Sequence, residues 1–224
     1  MKLYQTNIYK NITIPVHQTF QLIDIFSESK GKKTITLQEK SSLTYLVVGN
    51  NADIDIQVLT WWKNCSVNIF WLFFSDKKHP ITCALKTDIQ HSHASADIHL
   101  VSFLFNWAKV SIDGSINILP HLQHIQARLL EHNVVMGKDV VIKTLPGLNI
   151  SSHHVQAKHG ASIDQFDDQK LFYLMSRGLS AKDSQKLLIQ GYRDTALSMF
   201  TDFLPNEIDS IKHRIHLINA SHEK

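Results

Sequence analysis

The chain has 224 residues, 43% hydrophobic and 19% charged, with a formal net charge of +3. That allows one large domain, or a domain with an appendage, and excludes a disordered chain. The charge is too small to mark a nucleic-acid-binding protein.

Taken in chain order, residues 1–20 alternate polar and apolar side chains and lack the apolar core of a secretory leader. The densest basic cluster is Lys30, Lys32 and Lys33, followed by Lys77–Lys78; neither is interleaved with aromatic residues. An apolar run, Leu43 to Val48, ends at the turn signal Asn50–Asn51. Ile54, Ile56 and Val58 then alternate with Asp53, Asp55 and Gln57, the period of a half-buried strand. The stretch Cys65 to Ser75 is the longest uncharged apolar run, too short to cross a bilayer as a helix, so it predicts a buried strand and no membrane association. Cys65 heads it and reads as a small buried residue. Cys65 and Cys83 form no CxxC pair, which fits a reduced, cytoplasmic setting.

Further strand-like segments lie near residues 81–85, 98–105, 110–118, 125–130, 140–145 and 148–155. Many short strands without intervening helices mean a sandwich, a barrel or a solenoid. No crisp repeat period decides among them. The chain holds only 8 glycines and no Asn-Gly hairpin turn, which favours the wider corners of a coiled strand stack.

The pattern changes after Ser162. Asp167 and Asp168 sit in the first turn of a predicted helix, Leu171, Leu174 and Met175 recur at helical spacing, and Gly178 ends it beside Arg177. Ser180 with Asp183 resembles a capping box and starts a second helix to Phe200, with the stripe Leu188, Tyr192, Ala196 and Met199. Pro205 opens a third, with Ile208, Ile211, Ile215 and Ile218 on one face. These helices read equally as a docking appendage or as a cap on the open end of the stack.

No phosphate loop, dinucleotide-binding glycine motif or nucleophile elbow occurs, so the sequence shows no catalytic engine of its own. The unusual feature is 14 histidines. His91 and His93 are spaced to share one face of a strand, His121 and His124 flank a turn, and His153, His154 and His159 crowd the end of the β region. An independent histidine-rich metal-binding β domain or metalloenzyme is therefore an alternative reading, although two ligands do not make a site.

From Pro146 onward the residues carry a resemblance. They read Pro146-Gly147-Leu148-Asn149-Ile150, His154-Val155-Gln156-Ala157-Lys158-His159-Gly160-Ala161-Ser162-Ile163, Gln165-Phe166-Asp167, Leu171-Phe172-Tyr173-Leu174-Met175-Ser176-Arg177-Gly178 and Leu187-Leu188-Ile189-Gln190-Gly191-Tyr192. In order and spacing this is similar to the C-terminal signature of the SufB/SufD family of iron–sulfur cluster assembly proteins, nearer the SufD branch. Gly114-Ser115-Ile116 and Gln126 to Leu130 resemble that family's preceding strands more loosely. The resemblance implies a mainly β chain: a right-handed parallel β-helix over 1–162 and a small helical domain over 163–224. It implies a non-enzymatic scaffold whose helices bind a SufC-type ABC ATPase, with Phe172, Tyr173, Arg177, Gly178, Leu188 and Tyr192 as contacts. It implies pairing with a SufB-like chain, or a second copy, through the β-helix edges, which ATP-driven motion rearranges. It implies no firmly bound cofactor, only a transient iron–sulfur cluster at a subunit interface, with His159 as a candidate iron contact. Two positions depart from the family pattern: Ala157 replaces a cysteine and Asn149 replaces a glutamate.

Overall fold

The computed structural model describes residues 2–5, 11–165 and 168–198, with the isolated positions 209, 212, 213 and 215. Phe166, Asp167, Met199 and Phe200 lie outside the described residues, as does the expected third helix from Pro205 except at residues 209, 212, 213 and 215, which are helical, with Ile215 buried. The strands are β1 (Lys2–Gln5), β2 (Ile12–Ile14), β3 (Thr19–Phe26), β4 (Ser29–Leu37), β5 (Ser42–Gly49), β6 (Ala52–Thr60), β7 (Ser66–Ser75), β8 (Ile81–Ile89), β9 (Ser95–Leu104), β10 (Lys109–Ile118), β11 (Gln123–Val135), β12 (Val141–Thr144), β13 (Gly147–Ile150) and β14 (His154–Gln165). Two helices follow, α1 (Asp168–Ser176) and α2 (Ala181–Leu197).

All strand pairs are parallel, and from β1 to β12 successive strands go alternately to two sheets. The first sheet has the order β1-β3-β5-β7-β9-β11-β14; the second runs β12-β10-β8-β6-β4-β2, with β13 pairing the far half of β10. This is a two-sided parallel β-solenoid. The segment expected at 148–155 is divided: β13 and β14 belong to different sheets, and residues 151–153 form the corner between them. Strand β14 continues to Gln165 before the chain turns helical.

Each corner bends sharply, and the residues there show why histidine is so common. His17, Lys40, Asn64, His93 and His124 have φ between 53 and 61°. They stack rung on rung: the N–H of His17 donates to Glu39 O, Lys40 to Lys63 O, Asn64 to Ser92 O and His93 to Gln123 O. Asn, Asp and His tolerate left-handed backbone best among residues with a Cβ. His91 and His93 therefore do not share a strand face, as their spacing predicted. They lie in the corner after β8, where His91 stacks on Trp62 with ring centroids 6.2 Å apart and His93 on His124 at 4.7 Å.

The interior between the sheets is filled by the alternating residues of every rung, among them Leu43, Ile56, Val67, Leu85, Ile98, Ile116 and Leu129. The basic cluster near residue 30 divides. Lys30 and Lys32 face outward onto Asp53 and Asp55, whereas Lys33 is fully buried and donates to Asp24 at 2.6 Å and to Tyr45 Oη at 3.2 Å. Burial holds the Lys33 ammonium pKa below its ordinary value, against the pull of Asp24, and raises that of Tyr45.

A second apolar cluster lies on the outer face of the first sheet. Val48, Phe70, Leu72, Phe74, Val101, Phe103 and Val134 are covered there by Ile189 and Leu197 of α2 and by Ile215. The doubly apolar run from Ile69 to Phe74 has this cause, since both its faces are buried. Helix α2 thus lies along the sheet rather than plugging the end of the stack. No described helix is long and apolar enough to cross a membrane.

Candidate functional site

The last rung is open. Among the described residues β14 pairs only with β11, and β12 and β13 pair only with β10. Their outer edges carry unpaired backbone donors and acceptors, a ready template for another strand. Val141, Leu145, Ile150 and Ile163 are exposed at this end, and Ile142, Leu148, Val155 and Ala157 cover the core only partly. An apolar end with free strand edges has the character of an interface.

His159 lies in mid-strand on β14, not in a turn, and is exposed. It pairs with Leu129 of the core and Ala157 pairs with Ala127, so both belong to the inward-facing set of the open edge. Its Nδ1 lies 2.8 Å from Pro146 O. A carbonyl only accepts, so Nδ1 carries a proton and donates to it. Asn149 contributes elsewhere: its Nδ2 donates to Asn117, whose own amide donates to Asp88, in a polar ladder on the outer face of the second sheet. Among the described residues no three His, Cys, Asp or Glu side chains converge to hold a metal ion. Both thiols are buried, and burial raises their pKa, that of Cys83 very strongly.

Behind this edge sits a carboxyl that sequence reading did not single out. Glu131 on β11 points inward and is 2% exposed. Thr144 Oγ1 donates to its Oε2, and Oε1 has no hydrogen-bond partner among the described residues. Burial pushes its pKa up to about 7; the Gly114 N–H acts in the opposite sense and the Asp113 charge adds to the rise. Gly114 leaves room for this carboxyl, since a Cβ there would come within 2.5 Å of Oε1 and make it shift. The available signal was parity: residue 131 follows Ile125, Ala127 and Leu129 at period two.

The expected contact residues on the helices part company. Phe172 is 74% exposed and Tyr173 57%, with Met175, Leu179 and Leu187 exposed beside them. Arg177 lies over the Tyr173 ring, 5.3 Å from its centroid. Gly178 closes α1 as expected: it has φ +91°, its N–H donates to Met175 O, and that of Leu179 to Leu174 O, a Schellman motif. Asp183 N donates to Ser180 Oγ, which in turn donates to Oδ2 of Asp183, so the predicted cap of α2 forms. Leu188 is half-buried. Tyr192 turns back onto the solenoid, edge-on to Phe103 at 5.3 Å and hydrogen-bonded to His132 Nε2 at 2.9 Å. The fold thus leaves Phe172, Tyr173, Arg177 and Gly178 on the outer surface and seats Tyr192 in the seam between α2 and the first sheet.

The family model described as "SUF system FeS cluster assembly, SufBD core domain" matches residues 31–192. The chain is 28% identical over 113 residues to iron–sulfur cluster assembly protein SufD of Escherichia coli strain K12, covering 49% of this chain and 26% of that protein. It is 30% identical over 104 residues to an iron–sulfur cluster assembly SufBD family protein of Synechocystis, covering 46% and 23%. To SufB of Bacillus subtilis it is 25% identical over 138 residues, covering 57% and 29%. These matches span about a quarter of each relative's length. The match across most of the solenoid, α1 and the first part of α2 shows that the chain belongs to the SufBD core family of the SUF iron–sulfur cluster assembly system.

Proposed function

We propose that the chain is a cytoplasmic, non-catalytic scaffold subunit of a SUF complex. On this reading α1 and the start of α2 dock a SufC-type ABC ATPase, and the open rung pairs with a SufB-like chain or a second copy. The observation that carries the proposal is the exposed aromatic pair Phe172 and Tyr173, held on α1, whose C-terminal end is closed by the Gly178 motif. Large aromatic side chains left in water on a rigid element are characteristic anchors of protein interfaces. The uncapped apolar end supports the second contact in the same way. His159, exposed at that edge, is the residue that would touch iron or a nascent cluster. The cluster is cargo here, so few exchangeable ligands suit the task, and the missing cysteine at Ala157 leaves the remainder to the partner.

The test is co-purification with the ATPase. The double variant F172A/Y173A should lose the complex while its solenoid unfolds at the wild-type denaturant midpoint. Full retention of the ATPase by that variant would overturn the docking assignment.

A further inference from the structure

We infer that His132 couples the helical dock to the open edge of the solenoid, as a positioning residue through which movement of α2 reaches β14. The inference rests on the functional reading above. His132 lies on the outer face of β11. Its Nδ1 is 2.5 Å from Ser162 Oγ and 3.3 Å from Asp164 Oδ2, both on β14. Its Nε2 is 2.9 Å from Tyr192 Oη on α2. A neutral ring satisfies all of this, with Nδ1–H donating to the strand side and Nε2 accepting from the tyrosine hydroxyl. One side chain therefore ties the edge strand that bears His159 to the helix beside the proposed ATPase surface.

The surroundings make this tie matter. Next to it, a groove of about 520 Å³ separates α2 from the sheet, lined by Phe70, Val101, Leu130, Gly160 and Ala161 among others. The helix is not flush against β14 there, so direct packing does not bind the two together along the groove. The Tyr192 ring is fixed on its other side by Phe103 and stacks on the His132 ring at 5.7 Å. A shift of α2 carries Tyr192 with it and must either pull His132, and through it Ser162 and Asp164, or break the hydrogen bonds. Movement arriving at α2 thus becomes a change in register or spacing at the edge where the partner pairs. A two-state element whose equilibrium both surfaces bias is the physical requirement for such coupling.

The experiment uses the full chain assembled with the ATPase and the SufB-like partner. Hydrogen exchange of the β14 amides is compared in ADP and in a non-hydrolysable ATP analogue with Mg²⁺. Y192F cuts the tie on the helix side, S162A cuts it on the strand side, and neither removes a ring from the core. Wild type should show a nucleotide-dependent change in β14 exchange of about fivefold or more. Each variant should bind the ATPase normally and lose most of that change, and the double variant should lose no more than either single one. Variants that assemble and respond like wild type would overturn the inference and leave the scaffold reading standing. A wild-type chain that fails to bind the ATPase would overturn both.

Discussion

Replacing Glu131 by glutamine should flatten the dependence of stability on pH. The carboxyl lies between the sheets with one oxygen unbonded by any described residue, and its pKa is raised from the ordinary 4.5 to about 7. Because folding raises the pKa, the native state keeps a proton that the unfolded chain gives up. Stability is therefore full below about pH 4.5, falls as pH rises toward 7, and stays low above it. At about 1.4 kcal/mol per pH unit, the loss across that window is about 3 kcal/mol. Glutamine keeps the shape and removes the charge, so E131Q should match wild type near pH 5 and exceed it by about 2–3 kcal/mol at pH 8. Urea unfolding followed by tryptophan fluorescence across the range measures both. The quantity to plot is the difference between variant and wild type, in which contributions common to both proteins cancel. A difference that does not change with pH would refute the argument.

Other outcomes follow from the same coordinates. K33M removes the cation beside the buried Asp24 carboxylate and should destabilise the chain by about 3–5 kcal/mol. D24N/K33M, which leaves no buried charge at that site, should recover much of the loss in the same denaturant titration. His159→Ala should leave folding and ATPase binding intact, since the ring is exposed and its one described bond is to Pro146 O. In the assembled complex that variant should retain less iron per complex, and unchanged iron retention would assign His159 a structural role only.

Much of the architecture was legible because the solenoid interior obeys strand parity. Ile54, Ile56 and Val58 point inward as their alternation requires, and Asn51 and Asn64 turn the chain where their side chains favour it. Helix ends were legible too, through Ser180 and Gly178. The repeat was hidden because the rung lengthens along the stack: Ile35 pairs with Val58, Val58 with Thr87, and Ser115 with Gly147. The offset between paired rungs of the second sheet thus steps from 23 to 29 to 32 residues, and no single period runs the length of the stack. His91 and His93 misled because both lie in the corner after β8, where only His93 takes left-handed backbone, so their spacing of two does not run along a strand. Lys33 looked like surface charge beside Lys30 and Lys32, yet it shares parity with Ile35 and Leu37, and parity decides. The contact of α2 with the outer sheet face was foreshadowed only by the doubly apolar run Ile69–Phe74. Nothing in the local sequence pairs His132 with Tyr192; that contact spans 60 residues and exists only once the solenoid has been laid down.

The most direct test of the docking surface is site-specific photo-cross-linking in the assembled complex. A photoreactive phenylalanine analogue at position 172 should form a covalent adduct with the ATPase in high yield. The same analogue at position 57, on the outer face of the second sheet, should form none. Failure at 172, or equal capture from 57, would contradict the assignment of the C-terminal helices as the place where the motor holds the scaffold.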